Sequence, residues 1–298
     1  MNIGVIGVGH IGGTLAEKFV KAGHQVSVAN SRGKEAVRAF AEKIGAAPSD
    51  ISEIVKGKDV VILAVPLPAI EKIPRDLFKD AGKTIVVDTS NYYPDLRDSH
   101  IKELDEGKTE SLWVSEKIGH PIIKAFNNVL GDTLAEKGRK KGDEGRLAAA
   151  AAGDSAEDKA VVMRLIDEAG FDPVDGGTLE ESWRQQPGTP CYCCDYNKEE
   201  MEKALEERKR KAAEEKAKKE EASRKAVQQE ETSATAENKE DSKAEVPKTT
   251  AETQEAENTT EVQEEIWTLD FRVRGTKKQI MDLREYLIRN NIQFGKVE

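Results

Sequence analysis

Gly7, Gly9 and Gly12 stand at G-x-G-x-x-G spacing within Val5-Ile6-Gly7-Val8-Gly9-His10-Ile11-Gly12-Gly13, and each position lacks a side chain for a different reason. Gly7 permits a tight turn, Gly9 lets a pyrophosphate approach the backbone, and Gly12 lets a helix pack closely on a strand. The apolar run Ile3 to Ile6 precedes the turn, and Ile11, Leu15, Phe19 and Val20 follow it at near-helical spacing. Strand, turn and helix in that order leave free N–H groups at the helix start, which suits an anion. The expectation is a dinucleotide site, although a glycine-rich turn by itself is also only a turn.

The second group that can do chemistry is Asn30-Ser31-Arg32. Gln25 to Ala29 alternates like a strand, and about twenty residues past the glycines an NAD-binding fold carries Asp or Glu for the ribose 2′-hydroxyl. Here the acid is missing and a cation is present. Ser31 can donate a hydrogen bond and Arg32 a charge-assisted fork to a 2′-phosphate that an Asp would repel. The pattern therefore predicts NADP rather than NAD, against the plainer reading of a polar loop with a solvated arginine.

Three further strands would bring polar tips to the same edge. Asp59 to Val65 is a continuous apolar run, as a strand buried on both faces requires. Pro66 stops it and leaves Ala64, Val65 and Pro66 at the carboxyl end. Thr84 to Asp88 repeats the pattern before Ser90 and Asn91, and Pro121 to Asn128 places Ala125 and Asn127 likewise. A nicotinamide would lie along these tips. Lys124 is open to two readings, a buried-stem lysine, which is favoured, or a side chain reaching the site.

The positioning elements alternate. Helices are expected over Gly33 to Ile44, around Ser111 to Ile118, and from Asp154 to Ala169 with Gly170 ending the last. Arg146 to Ala152 holds five consecutive alanines; alanine favours helix, yet the run is short and closed by Gly153-Asp154, so a buried strand is preferred. Phe171 to Asp175 makes a last strand. Trp183, Arg184 and Gln185, with Gln186 and a proline-terminated tail, can form a flat polar-edged surface for a planar ligand or cap the sheet edge.

Of the 298 residues, 37% are hydrophobic and 34% charged, with a formal net charge of -10. That balance points to an unpacked portion and disfavours a nucleic-acid or membrane-surface role for the whole molecule. No apolar run approaches a membrane span and no signal-peptide pattern is present, so a cytoplasmic location is expected. The three cysteines, Cys191, Cys193 and Cys194, are read as reduced thiols, and no metal site is expected. From Lys198 the character changes. Residues 198–220 read as a charged, solvated helix with little apolar stripe, 221–264 as a disordered linker, and 265–298 as a small βαβ module. Residues 1–197 are left as one α/β domain.

The Gly7 to Gly12 turn, Ser31-Arg32, Ile123 to Asn127 and above all Glu181-Ser182-Trp183-Arg184-Gln185-Gln186-Pro187-Gly188-Thr189-Pro190 resemble the bacterial branch of the NADPH-dependent coenzyme F420 reductase family over about residues 1–210. The resemblance implies a Rossmann doubly wound parallel sheet that passes a hydride between NADPH and a deazaflavin or related flavin. It implies that Gly9, His10 and Ile11 meet the pyrophosphate, Ser31 and Arg32 the 2′-phosphate, and Val65 and Ala125 the nicotinamide. Dehydrogenases of small keto or imino acids usually add a helical domain, where this sequence is read as a polar helix and a disordered tract, so an open face for a planar acceptor is expected. Direct stacking requires orientation more than a proton relay. No general acid or base is therefore assigned, and His10, His24, His100 and His120 are read as structural or exposed. Residues 271–280 are faintly similar to a phage protein family of unknown function. That tail supplies a second reading, an NADPH-responsive binding module recruiting a protein partner or a second copy through 265–298. A weaker third is nucleic-acid association through Arg272, Arg274, Lys277 and Lys278.

Overall fold

A computed structural model describes residues 1–94 and 96–214. Strands β1 (Asn2–Ile6), β2 (Gln25–Ala29), β3 (Ala47–Pro48), β4 (Val60–Leu63), β5 (Ile85–Asp88), β6 (Ile123–Ala125), β7 (Ala148–Ala152) and β8 (Asp172–Asp175) form one sheet in the order β3-β2-β1-β4-β5-β6-β7-β8. Strands β1 to β6 are parallel, β7 joins β6 antiparallel, and β8 runs parallel to β7. The chain leaves β1 in one direction to β2 and β3, then returns past it to β4. This reversal opens a crevice at the carboxyl ends of β1 and β4, the ligand position of a Rossmann sheet.

Helices α1 (His10–Lys21), α2 (Lys34–Ile44), α3 (Lys102–Asp105), α4 (Glu110–Ile118), α5 (Gly131–Glu136) and α6 (Ala156–Glu168) accompany the strands. Strands covered on both faces cannot alternate with polar residues, which is why β4 reads Val-Val-Ile-Leu and is wholly buried. Val60 and Ile62 face Leu15 and Phe19 of α1 and Leu165 of α6. Val61 and Leu63 face Trp113, Val114 and Ile118 of α4. Two apolar layers on either side of the sheet thus fix the strand tips relative to one another.

The alanine run is strand β7, and its helix propensity gives way to tertiary packing. Ala149 and Ala151 lie in the layer of α6, whereas Ala148 and Ala150 pack with Val174, Cys191, Met201, Ala204 and Leu205. The last three belong to α7, a helix that starts at residue 198 and is described to 214. Their burial corrects the expectation of a solvated helix: the little apolar stripe it was read to carry is seated on β7. Positions i, i+3 and i+4 are enough to seat a helix, but the dense flanking charges hide so narrow a stripe. Leu205→Ala should lower stability by about 2 kcal/mol, at the low end for a buried leucine because α7 has solvent on its outer face. Urea unfolding followed by circular dichroism checks this, and an unchanged midpoint would mean α7 is not held by that contact. The expected linker over 221–264 and βαβ module over 265–298 lie outside the described residues. Among the described residues, no helix is long and apolar enough to cross a membrane.

Candidate functional site at the carboxyl edge

At the β1–α1 turn, Gly7 has φ +100°, a conformation that L side chains rarely adopt, and a Cβ there would lie 2.3 Å from the Ala64 carbonyl oxygen. A Cβ on Gly12 would fall 1.9 Å from the Gly7 carbonyl oxygen and 2.7 Å from the Ala64 Cβ. Both glycines are therefore required by the clamp of α1 against β1 and β4. Gly9 differs, since a Cβ on it would meet nothing within 4 Å among the described residues. It is the exposed N-cap of α1, without a side-chain cap, and the first turn carries no acidic residue. The N–H groups of His10, Ile11 and Gly12 have no intrahelical acceptor, and the positive end of the helix dipole faces open space. These features fit a pyrophosphate. His10 is exposed, with Nε2 3.4 Å from Asp132 Oδ1.

The tip of β2 is shaped by Asn30, whose Oδ1 accepts the Arg32 backbone N–H at 2.9 Å. This side-chain turn leaves the side chains of Ser31 and Arg32 exposed. Among the described residues no carboxylate lies within ion-pair distance of Arg32. Asp50 instead caps α2, accepting the Lys34 N–H at 2.9 Å.

At the tips of β4 to β6, Ala64 and Val65 are half-buried and Pro66 is exposed, while Ala125 is fully buried. Phe126 adopts φ +62°, an unusual value for an aromatic residue, and turns the chain so that Asn127 faces β5. Asn127 Nδ2 donates to Asn91 Oδ1 at 3.0 Å and to the Gln185 carbonyl at 2.8 Å, and Asn91 Nδ2 returns a bond to the Asn127 carbonyl at 2.9 Å. Arg97 holds the Asn91 carbonyl at 2.7 Å. Ser90 is buried, and its Oγ has no hydrogen-bond partner among the described residues.

Beneath these tips lies a buried charge cluster. Lys124 is fully buried, which carries the favoured reading of that residue. Its Nζ donates to Asp88 Oδ2 at 2.7 Å and to the Ser90 carbonyl at 2.5 Å, with Glu110 Oε2 3.8 Å away. Burial pushes the Glu110 carboxyl up to about 7, against the opposing pull of Lys124. Asp88 and Glu110 escaped the sequence reading. Asp88 closes an apolar strand, and the only signal for it was a buried lysine needing a counter-charge; Glu110 is one of many acids at helix starts.

Arg184 and Gln185 are buried, whereas Trp183 is half-exposed beneath the Arg208 guanidinium. Arg184 donates to the carbonyls of Gly176 at 2.7 Å and Leu205 at 3.4 Å. Gln185 Nε2 donates to Asn127 Oδ1 at 2.8 Å and to the Lys124 carbonyl at 3.4 Å. For Arg184 and Gln185 the sheet-edge reading replaces the expected surface for a planar ligand, because both are buried and their N–H donors go to backbone carbonyls and the Asn127 amide, while Gln185 Oε1 has no partner among the described residues.

Each of the four histidines has a structural neighbour: His24 bonds Glu168, His100 bonds Asp105, His120 bonds the Pro121 carbonyl, and His10 lies 3.4 Å from Asp132. All three cysteines are free, and burial pushes the Cys191 thiol up to about 12, which keeps it from being a nucleophile at neutral pH. A separate groove of about 310 Å³, lined by Lys137, Arg139, Leu147 and Asp195 among others, contains none of the expected site residues.

Comparison with known proteins bears on this edge directly. Residues 2–92, which carry the glycine turn, the β2 tip and the ends of β4 and β5, match the family described as NADP oxidoreductase, coenzyme F420-dependent. Over a wider span the chain is 32% identical to the crystal structure of hypothetical protein SMa0349 from Sinorhizobium meliloti, covering 66% of this chain and 96% of that one with a TM-score of 0.57. The chain belongs to the coenzyme F420-dependent NADP oxidoreductase family. Two curated relatives match over shorter stretches. YjhV of Escherichia coli (strain K12) is 51% identical over 65 residues, 22% of this chain and 47% of YjhV. The mitochondrial 3-hydroxyisobutyrate dehydrogenase of Drosophila melanogaster is 34% identical over 106 residues, 35% of this chain and 32% of that protein. The chain thus spans about half the length of one and a third of the other. The family domain ends at the tip of β5, so β6 to β8 and α7 lie beyond it.

Proposed function

We propose that the protein is an NADPH-dependent oxidoreductase that transfers a hydride between NADP(H) and a planar deazaflavin (F420) or flavin-like acceptor. The observation that carries this reading is the β2 tip, where an Asn30-fixed turn exposes Ser31 and Arg32 with no carboxylate of the described residues within ion-pair distance. In this reading Gly7, Gly9, His10, Ile11 and Gly12 receive the pyrophosphate, and Asn30, Ser31 and Arg32 receive the 2′-phosphate. Ala64, Val65, Pro66 and Asn91 line the nicotinamide, with Ser90, Ala125 and Asn127 buried directly behind them, and Trp183 is left to meet the acceptor. Bound NADPH would supply the hydride; the protein's part is to bind and orient, with water kept from the ring by the apolar strand ends.

Stopped-flow oxidation of NADPH against F420, FMN and FAD tests the reading, with turnover expected for at least one acceptor. Tight NADPH binding without turnover by any of them would overturn the enzyme and favour an NADPH-responsive binding module. Cofactor choice is tested separately: Arg32→Ala should weaken NADPH by roughly ten- to a hundredfold, the loss of a charge-assisted pair of about 1.5–3 kcal/mol, and leave NADH nearly unchanged. Equal losses for both cofactors, measured by fluorescence titration, would remove Arg32 from the 2′-phosphate.

A further inference from the structure

We propose that Gln185 is a positioning residue that sets the orientation of the two asparagine amides at the nicotinamide edge; this rests on NADP(H) occupying that edge. An amide can face either way, and Asn127 stands between two partners with different needs. Gln185 Nε2 donates to Asn127 Oδ1 at 2.8 Å and anchors on the Lys124 carbonyl at 3.4 Å. Because Asn127 Oδ1 is thereby an acceptor, its Nδ2 is directed to Asn91 Oδ1 at 3.0 Å and to the Gln185 carbonyl at 2.8 Å. Asn91 is then fixed in turn, with its Nδ2 donated to the Asn127 carbonyl at 2.9 Å. Gln185 thus holds the Asn127 amide at both ends, its side-chain donor on Oδ1 and its backbone carbonyl on Nδ2, and Asn91 follows in the same sense.

Burial gives that order its force. Gln185 is fully buried and Asn127 nearly so, whereas Asn91 is half-exposed and ends the chain of bonds at the crevice. Reversing the first amide in so dry a place leaves two donors or two acceptors facing each other at each step. Gln185 is itself held by its neighbours along the chain. Arg184 bonds the carbonyls of Gly176 and Leu205, which ties the turn to β8 and α7. The side chain expected to touch the acceptor acts instead one layer behind the cofactor.

The experiment is a titration of full-length wild type, Gln185→Leu and Gln185→Glu with NADP+ and with 2′,5′-ADP at pH 6 and pH 9. The second ligand carries the 2′-phosphate but no nicotinamide. Gln185→Leu has no donor at any pH, and should weaken NADP+ by about tenfold, the worth of one buried hydrogen bond, at both pH values while leaving 2′,5′-ADP unchanged. Gln185→Glu regains a donor when protonated, so its NADP+ affinity should match wild type at pH 6 and fall towards that of Gln185→Leu at pH 9. A merely structural glutamine would give equal losses for both ligands and no recovery in acid, and that result overturns the proposal. So does a Gln185→Leu variant that binds NADP+ as tightly as wild type. Wild type that binds 2′,5′-ADP but gains nothing from the nicotinamide half overturns it too, whereas wild type that binds neither ligand overturns the NADP(H) reading beneath it.

Discussion

Replacing Lys124 by methionine is expected to lower the unfolding free energy by about 3–5 kcal/mol, the range found when one partner of a buried ion pair is removed. Lys124 is fully buried on β6, and its Nζ meets Asp88 Oδ2 at 2.7 Å and the Ser90 carbonyl at 2.5 Å. Methionine keeps the length and bulk of the stem, so the change leaves no large cavity. What it leaves is the Asp88 carboxylate, fully buried, with the Ser90 N–H at 3.0 Å as its one remaining hydrogen-bond partner among the described residues. The double variant Lys124→Met with Asp88→Leu removes both charges and should be more stable than the single variant, because the cost of a lone buried charge disappears. Urea unfolding at neutral pH measures both. A single-variant loss below about 1 kcal/mol, the worth of an exposed pair, would show that water reaches the cluster.

Much of this architecture was readable from the residues. The glycine turn, the β2 tip and the apolar strands β4 and β5 are local patterns whose chemistry does not depend on what packs against them, and they lie where the spacing put them. The alanine run was legible as a strand only because Gly153 closes it too early for a helix. Where the sequence was least informative, the deciding contacts are long-range. Met201, Ala204 and Leu205 give α7 its seat on β7, but three small or medium apolar residues among dense charge resemble a solvated face until Ala148 and Ala150 are placed opposite. Arg184 and Gln185 have the look of ligand-binding groups. Their donors go to carbonyls of Gly176, Leu205 and Lys124 and to the Asn127 amide, partners between 8 and 61 positions away in sequence. No spacing rule reaches that far.

The second large effect is a dependence of stability on pH that one carboxyl controls. Glu110 lies beneath the same edge, and burial raises it from 4.5 to about 7, although Lys124 and the Tyr92 backbone N–H pull the other way. Below pH 4.5 the group is protonated whether the chain is folded or not, and it contributes no slope. Between pH 4.5 and about 7 the folded protein keeps the proton that the unfolded chain has released, so stability falls as pH rises. Above that window both states are ionised and the full loss is in place, on the order of 3 kcal/mol at about 1.4 kcal/mol for each pKa unit. Glu110→Gln has no proton to lose, so denaturant unfolding across pH 4.5 to 8 should show wild type falling relative to the variant by about that amount. Glu181, held down to about 2 by Lys209, acts at lower pH and cancels in the difference. A difference that stays flat would place Glu110 in its ionised form throughout, with Lys124 outweighing burial. The distinction matters for the edge above. A neutral Glu110 leaves Lys124 and Asp88 as a balanced pair under Ser90, whereas an ionised one puts an uncompensated negative charge beneath the strand tips where a nicotinamide would lie.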